Sequence, residues 1–107
     1  RPAIVGGRVY VRPKIMDLAT GEILPLEMPK GKCGTYAATT RSLIFRTTQI
    51  TMWNTETGSD SSWDRMRPGC WLSTIPAAGM LLSPEGGGGC SCGSWMEMSV
   101  GFMPDKQ

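Results

Sequence analysis

Two short motifs recur along this chain of 107 residues, and this recurrence constrains the fold more than any other feature. The first motif is a polar or small pair, three apolar residues and then Arg or Ser; it occupies residues 7–13, 41–47 and 78–84. The second motif is an Asp or Asn followed three residues later by Thr-Gly, and it occupies residues 16–21 and 53–58, which are 37 positions apart. Together the motifs predict a repeated unit of about forty residues with about four strands, which is typical of a β-propeller blade.

Short apolar runs separated by turn residues predict strands rather than helices. Gly6-Gly7 is a two-residue hairpin turn, and the Asp or Asn that opens each Thr-Gly turn accepts hydrogen bonds from nearby backbone amides. The last predicted strand alternates apolar and polar residues, with Met96, Met98, Val100 and Phe102 on one face. Residues 54–69 are polar and rich in Gly, Ser and Asp, so we expect a long surface connection there. The predicted strands are residues 3–5, 8–11, 15–17, 23–26, 36–38, 43–45, 49–53, 71–75, 80–82 and 95–102.

These patterns predict an all-β fold: an incomplete β-propeller made of two to three antiparallel blades of a larger propeller. The first blade portion would span residues 1–34, the second blade and its long loop residues 35–69, and a cysteine-rich closing blade residues 70–107. A few blades alone expose large apolar faces. We therefore expect the remaining blades of a parent polypeptide, or another protein chain, as partners, and the opening at Arg1 without Met fits an excised piece.

Composition excludes several classes of function. A net charge of +2 is too small to indicate binding to nucleic acid, and no apolar run has the length of a membrane span. The sequence contains no histidine, which removes the commonest general base and metal ligand and makes a Ser-His-Asp triad impossible within this chain. The run 86–89 of four Gly is not followed by Lys and Ser or Thr, so it is not a phosphate-binding P-loop.

The four cysteines are Cys33, Cys70, Cys90 and Cys92. Zinc sites usually present paired C-x-x-C knuckles, and this chain has one close pair with a different gap. An even number of cysteines fits structural disulfides, which indicate an oxidising compartment, periplasmic or extracellular. Three connectivities are possible, and free buried thiols, a metal site and a redox pair at Cys90 and Cys92 remain as alternatives.

Aromatic and acidic residues supply the other candidate sites. Trp63 and Trp95 flank predicted loops, where exposed rings can stack on a sugar or another planar ligand, whereas Trp53 and Trp71 lie on or beside strands and are expected to pack between blades. Most carboxylates fall in turns, where solvation explains them. The acidic segment 60–64 is a weak candidate for a calcium loop.

Several segments resemble the repeat of PQQ-like, quinoprotein-type β-propellers. Residues 9–11 and 17–22 follow the pattern of a strand and an Asp-x-x-Thr-Gly-Glu turn. The cysteine-containing half is similar to the C-terminal end of the large secreted PQQ-like repeat proteins of planctomycete bacteria. The segments that carry this second similarity are residues 33–34, 67–71, 75–77, 82–85 and 90–92.

The resemblance implies the fold and not dehydrogenase activity. Quinoprotein dehydrogenases hold the quinone over a vicinal Cys-Cys disulfide, with a calcium ion and an Asp base, whereas Ser91 separates Cys90 from Cys92 here. We therefore predict no catalytic residue, metal or cofactor in this chain; PQQ or calcium would belong to a complete propeller. The expected function is a disulfide-stabilised closing segment that acts as scaffold or binding surface. The alternative is part of a propeller enzyme, quinoprotein-like or polysaccharide-active, whose catalytic residues lie mostly outside this segment.

Overall fold

The computed structural model describes residues 2–32, 34–47, 49–63, 68–69, 73–86 and 98–105. Within these ranges the regular structure consists of strands, without a helix, as the sequence predicts. The strands are β1 (Ala3–Val5), β2 (Arg8–Val11), β3 (Lys14–Asp17), β4 (Ile23–Glu27), β5 (Ala37–Ala38), β6 (Ser42–Arg46), β7 (Ile50–Asn54), β8 (Asp60–Trp63), β9 (Ile75–Ala77), β10 (Met80–Ser83) and β11 (Val100–Phe102).

The strands form three antiparallel sheets in which each strand pairs with its neighbour in the chain. The first sheet has the order β1-β2-β3-β4, the second β5-β6-β7-β8 and the third β9-β10-β11. The fold is therefore all-β and antiparallel. In the described part of the chain, no helix has the length and apolar character that crossing a bilayer requires.

The Thr-Gly turns of the first two sheets have the same hydrogen bonds. Asp17 Oδ1 accepts from the backbone amides of Ala19 and Thr20, each at 2.9 Å. Asn54 Oδ1 accepts from the equivalent amides, those of Glu56 and Thr57, at 2.9 and 3.0 Å. Both turns close on a glycine with φ near +75°, a conformation in which a Cβ is strained. The repeat found in the sequence is thus a repeat of structure at this turn.

The β9-β10 turn corrects the sequence alignment of the third copy. Ala78 and Gly79 both have positive φ, as do Gly6 and Gly7 in the β1-β2 turn, so Gly79 is equivalent to Gly7. The sequence comparison aligned Ala78 with Gly7, which is one residue out of register. Because side chains alternate along a strand, this shift moves every side chain of β10 to the opposite face.

Each sheet has two faces, which we call front and back. The front row of a sheet is the set of directly paired residues, one per strand, that contains Val9, Leu43 or Leu81, which are equivalent in the corrected register. The front rows are Ile4, Val9, Met16 and Ile23 in the first sheet, Ala38, Leu43, Trp53 and Asp60 in the second, and Pro76, Leu81 and Phe102 in the third.

The back rows contain the residues next to these along each strand. Successive side chains of a strand point to opposite faces, so a back row faces away from the front row of its own sheet. The back rows are Ala3, Tyr10 and Ile15 in the first sheet, Ala37, Ile44, Met52 and Ser61 in the second, and Ile75, Leu82 and Gly101 in the third.

The sheets stack in one sense, back to front. Tyr10 and Ile15 from the first back row share a buried cluster with Leu43 and Trp53 from the second front row. Ile44 from the second back row is buried against residue Leu81 of the third front row. Strand β6 therefore lies in the centre of the stack of three sheets. It is buried on both faces, since Leu43 on its front face and Ile44 on its back face are both 0% exposed. The burial of Trp53 between sheets confirms the prediction that it packs.

An arginine reinforces the contact between the first two sheets. The Arg12 guanidinium lies over the Tyr36 ring, 5.0 Å from its centroid, and 5.7 Å from that of Phe45. Its Nε donates a hydrogen bond to Tyr36 Oη at 3.0 Å, and its Nη1 donates to the Lys32 carbonyl. The aliphatic part of the Arg12 side chain can pack on apolar surface, and the two aromatic rings attract the guanidinium. These two interactions allow a charged group to lie at this apolar interface.

Three sequence predictions of secondary structure are wrong. The strand expected over residues 71–75 is β9 at residues 75–77; residues 73–74 are not in a strand, and residues 71–72, with Trp71, lie outside the described ranges. Residues 60–63 form strand β8, although residues 54–69 were expected to be a surface connection. The polar composition of β8 reflects its place at the edge of the sheet, where Asp60 and Ser61 remain exposed. The strand expected over residues 95–102 is present at 100–102 but not at 98–99, and residues 95–97 lie outside the described ranges.

Candidate binding cleft between the second and third sheets

A cleft of about 540 Å³ opens between the back of the second sheet and the front of the third. This volume lies within the range of about 300–1,000 Å³ that is usual for small-molecule sites. The lining residues that the structure describes are mainly apolar, and none of these is charged. They are Thr39, Met52, Trp63, Pro76, Ala77, Ala78, Gly79, Met80, Leu81, Phe102, Met103 and Pro104.

Trp63 is the predicted site residue that the structure describes. It is the last residue of β8, pairs with Ile50 across β7, and is half-buried in the cleft wall. Residues 60–63 of the weak calcium-loop candidate are extended as a strand. Trp95 and the four cysteines, Cys33, Cys70, Cys90 and Cys92, lie outside the described residues.

The two walls of the cleft come from rows that the repeat defines. Met52 belongs to the second back row, and Trp63 lies two residues beyond Ser61 on the same face of β8. Pro76, Leu81 and Phe102, which make the opposite wall, are the complete front row of the third sheet. The cleft thus occupies the same position between sheets as the packed core between the first and second sheets.

That packed core shows how the same interface looks when it is closed. Tyr10 meets Trp53 edge-on there, with ring centroids 6.4 Å apart and an interplanar angle of 82°. At the interface between the second and third sheets, the strand pairing places Ile44 at the position equivalent to Tyr10 and Phe102 at the position equivalent to Trp53. Trp53 is 3% exposed, whereas Phe102 is 38% exposed. A pair of large aromatic residues fills the first interface, and a smaller pair leaves the second one open.

Thr39 gives the cleft a hydrogen-bonding group. Its Oγ1 accepts hydrogen bonds from the backbone amides of Arg41 and Ser42, at 3.3 and 3.0 Å. A hydroxyl can accept two hydrogen bonds and donate one. Among the described residues no acceptor receives the Thr39 proton, so it is available to an oxygen or nitrogen atom in the cleft.

The described titratable groups do not form a catalytic or metal-binding cluster. Within the described ranges, no group of three or more Asp, Glu or Cys side chains is arranged to hold a metal ion. The backbone amide and hydroxyl of Thr20 hydrogen-bond the Asp17 carboxylate and lower its pKa, with smaller contributions from the Ala19 amide and Arg8. This shift belongs to the exposed turn of the first sheet. The described side chains that line the cleft are suited to binding and include no carboxylate that could act as a general base.

Reasoning from sequence missed most of the cleft. It selected Trp63 but not Thr39, Met52, Met80 or Phe102, which line the cleft with it. The repeat in its correct register would have found Phe102, because that register aligns it with the buried Trp53. The chain gives no significant match when compared with known protein families, with curated proteins and with solved structures.

Proposed function

We propose that this chain is a non-catalytic part of a β-propeller, in which the three sheets are consecutive blades that form a scaffold and binding surface. The back-to-front stacking of equivalent sheets carries this proposal. Propeller blades are small antiparallel meanders arranged around an axis so that each one packs on the next in the same sense. The three sheets of this chain also pack on one another in the same sense, with the back of one sheet against the front of the next.

Two apolar faces at the ends of the stack support the proposal. Ile4 and Ile23 in the front row of the first sheet are 60% and 53% exposed, and Ile75 in the back row of the third sheet is 51% exposed. Within the chain, faces of both kinds are covered by a neighbouring sheet. Further sheets of the same repeat, from a parent polypeptide or another chain, are the occupants that fit these ends.

The sequence suggests which propellers these are. The strand and Asp-x-x-Thr-Gly-Glu turn resemble PQQ-like repeats, and Asp17 and Gly21 have the structural roles that this pattern needs. We infer that the four cysteines, Cys33, Cys70, Cys90 and Cys92, form disulfides that stabilise the closing segment in a periplasmic or extracellular setting. Mass spectrometry tests this part directly, because each disulfide lowers the mass by two hydrogens and reduction restores them. Four free thiols in the purified protein would contradict it.

Sedimentation velocity tests the scaffold proposal. An isolated chain with two uncovered apolar faces should self-associate as its concentration rises, because a second copy supplies the missing sheet. Ile4→Glu and Ile75→Glu each place a charge on one end face and should weaken this association. Leu18→Glu is the matched control, because Leu18 is 51% exposed but lies in a turn. A wild-type chain that stays monomeric at every concentration would contradict the proposal.

A further inference from the structure

We propose that the cleft between the second and third sheets binds an uncharged aromatic molecule that carries a hydrogen-bond acceptor, such as a phenol. This proposal rests on the binding-surface role proposed above and names its ligand class. It begins from the two copies of one interface in the same chain. One copy is closed by an aromatic pair, and the other is open at the equivalent position.

The closed copy indicates what the open copy accommodates. Between the first two sheets, the Tyr10 and Trp53 rings occupy the space between a back row and a front row. Between the second and third sheets, Ile44 and Phe102 stand at the same positions, and Phe102 remains 38% exposed. An aromatic ring placed in the cleft would supply an edge-to-face contact that no other described residue makes with Phe102. Such pairs prefer centroid separations of about 4.5–7 Å.

The lining selects an aromatic ring over a charged or strongly polar group. Trp63 and Phe102 offer rings, and Met52 and Met103 are the methionines of the lining that do not point to the back of the third sheet. Thioether sulfur packs favourably against aromatic rings, and the flexible methionine chain adapts to the shape of its neighbour. Since the described lining residues include no charged side chain, a charged ligand would lose hydration and gain no ion pair from them.

Thr39 determines which aromatic ligand fits best. Its hydroxyl accepts two backbone hydrogen bonds and therefore presents its proton. A phenolic oxygen or a carbonyl on the ring would accept that proton. A purely hydrocarbon ring would leave the Thr39 donor buried without a partner, which costs binding energy.

The test uses p-cresol, which is the ring and hydroxyl of a tyrosine side chain, with 4-methylcyclohexanol as its saturated counterpart and toluene as its counterpart without the hydroxyl. Methyl NMR of 13C-labelled methionines reads the binding. We expect saturable shifts at Met52 and Met103 with p-cresol, and no shift at Met16, which lies in the front row of the first sheet. Affinity should be lower for both counterparts. Equal affinity for 4-methylcyclohexanol would overturn the proposal.

A variant that restores the closed pair tests the site independently. Phe102→Trp puts the ring of Trp53 at the equivalent position of the third sheet and should weaken p-cresol binding at least tenfold. Leu18→Trp, on an exposed turn, adds the same ring elsewhere and should leave binding unchanged. Undiminished binding to Phe102→Trp would contradict the assignment of the site.

The same titration in Ile4→Glu separates this proposal from the scaffold proposal. That substitution lies on the far face of the first sheet, where it should reduce self-association without touching the cleft. Binding that persists in Ile4→Glu is a property of one chain. If association behaves as proposed but the methionine shifts are absent, the ligand proposal alone fails.

Discussion

Tyr10 and Trp53 meet edge-on between two consecutive sheets, with ring centroids 6.4 Å apart. Tyr10 lies in a back row and Trp53 in a front row, so this contact fixes the sense in which the sheets stack. The same back-to-front relationship joins Ile44 to Leu81 in the next pair of sheets. The same contact, between the back of one sheet and the front of the next, therefore joins all three sheets in the described part of the chain.

Removing the Trp53 ring should destabilise the chain strongly. Trp53 is 3% exposed and packs in the cluster shared by the first and second sheets, so Trp53→Ala removes a large buried surface and leaves a cavity. We expect a loss of about 3–5 kcal/mol in the free energy of unfolding, measured by urea denaturation. Trp63→Ala is the control, because the half-buried Trp63 should cost clearly less. If the two variants lost equal free energy of unfolding, the interface at Trp53 would not be more tightly packed than the cleft at Trp63, and the account would be contradicted.

Asp17 should make the stability of the chain sensitive to acid. Hydrogen bonds from Thr20 lower its pKa in the folded state below the ordinary value of 3.8. A lowered folded-state pKa adds stability above the unfolded pKa, and this stability is lost as the pH falls through the folded pKa. Asp17→Asn should therefore reduce the loss of unfolding free energy between about pH 5 and pH 2.

The turn of the second sheet provides the reciprocal control. Asn54 makes the same two amide contacts without a charge, so Asp17→Asn should keep the turn intact at neutral pH. Asn54→Asp should add acid sensitivity at the second turn. Urea denaturation at several pH values measures both effects. An unchanged acid response in Asp17→Asn would show that this carboxylate does not contribute to it.

Two buried threonines should respond in opposite ways to the same substitution. Thr74 and Thr51 are each 1% exposed. Among the described residues, Thr74 Oγ1 has no hydrogen-bond partner, whereas Thr51 Oγ1 pairs with Thr47 Oγ1 at 2.9 Å and with Ser62 Oγ at 3.0 Å. Thr74→Val should stabilise the chain by up to about 1 kcal/mol, because the isosteric methyl removes an unpaired polar group.

Thr51→Val should instead destabilise the chain by about 1–2 kcal/mol, because it leaves two hydroxyls without their shared partner. Thermal and urea denaturation of the two variants measure the difference. A destabilised Thr74→Val would mean that the Thr74 hydroxyl is paired in solution and would refute the stated contrast.

Much of the fold could be predicted because its signals are local. Gly6-Gly7 sets a hairpin through two positive φ angles, and Asp17 and Asn54 each organise a turn within a few residues. Apolar runs of three residues identify β2, β6 and β10, since such runs favour strands regardless of distant context. The all-β class and most strand positions follow from these signals alone.

The rest depended on contacts distant in sequence. Strand β8 is polar, with Ser61 and Ser62 exposed, and only its pairing with β7 makes it a strand. The cleft was not predictable from composition, since Phe102 and Trp53 become comparable only after register is known. A shift of one residue in the third copy inverts the faces of β10 and hides that equivalence.

Mixing two end-face variants tests the central claim, that the two ends of the stack are halves of one repeating interface. Ile4→Glu keeps the back face of the third sheet, and Ile75→Glu keeps the front face of the first sheet. Sedimentation equilibrium should show each variant as a monomer alone and a one-to-one heterodimer in the mixture, because one back face meets one front face and further growth is blocked. A mixture that sediments as two monomers would contradict the claim.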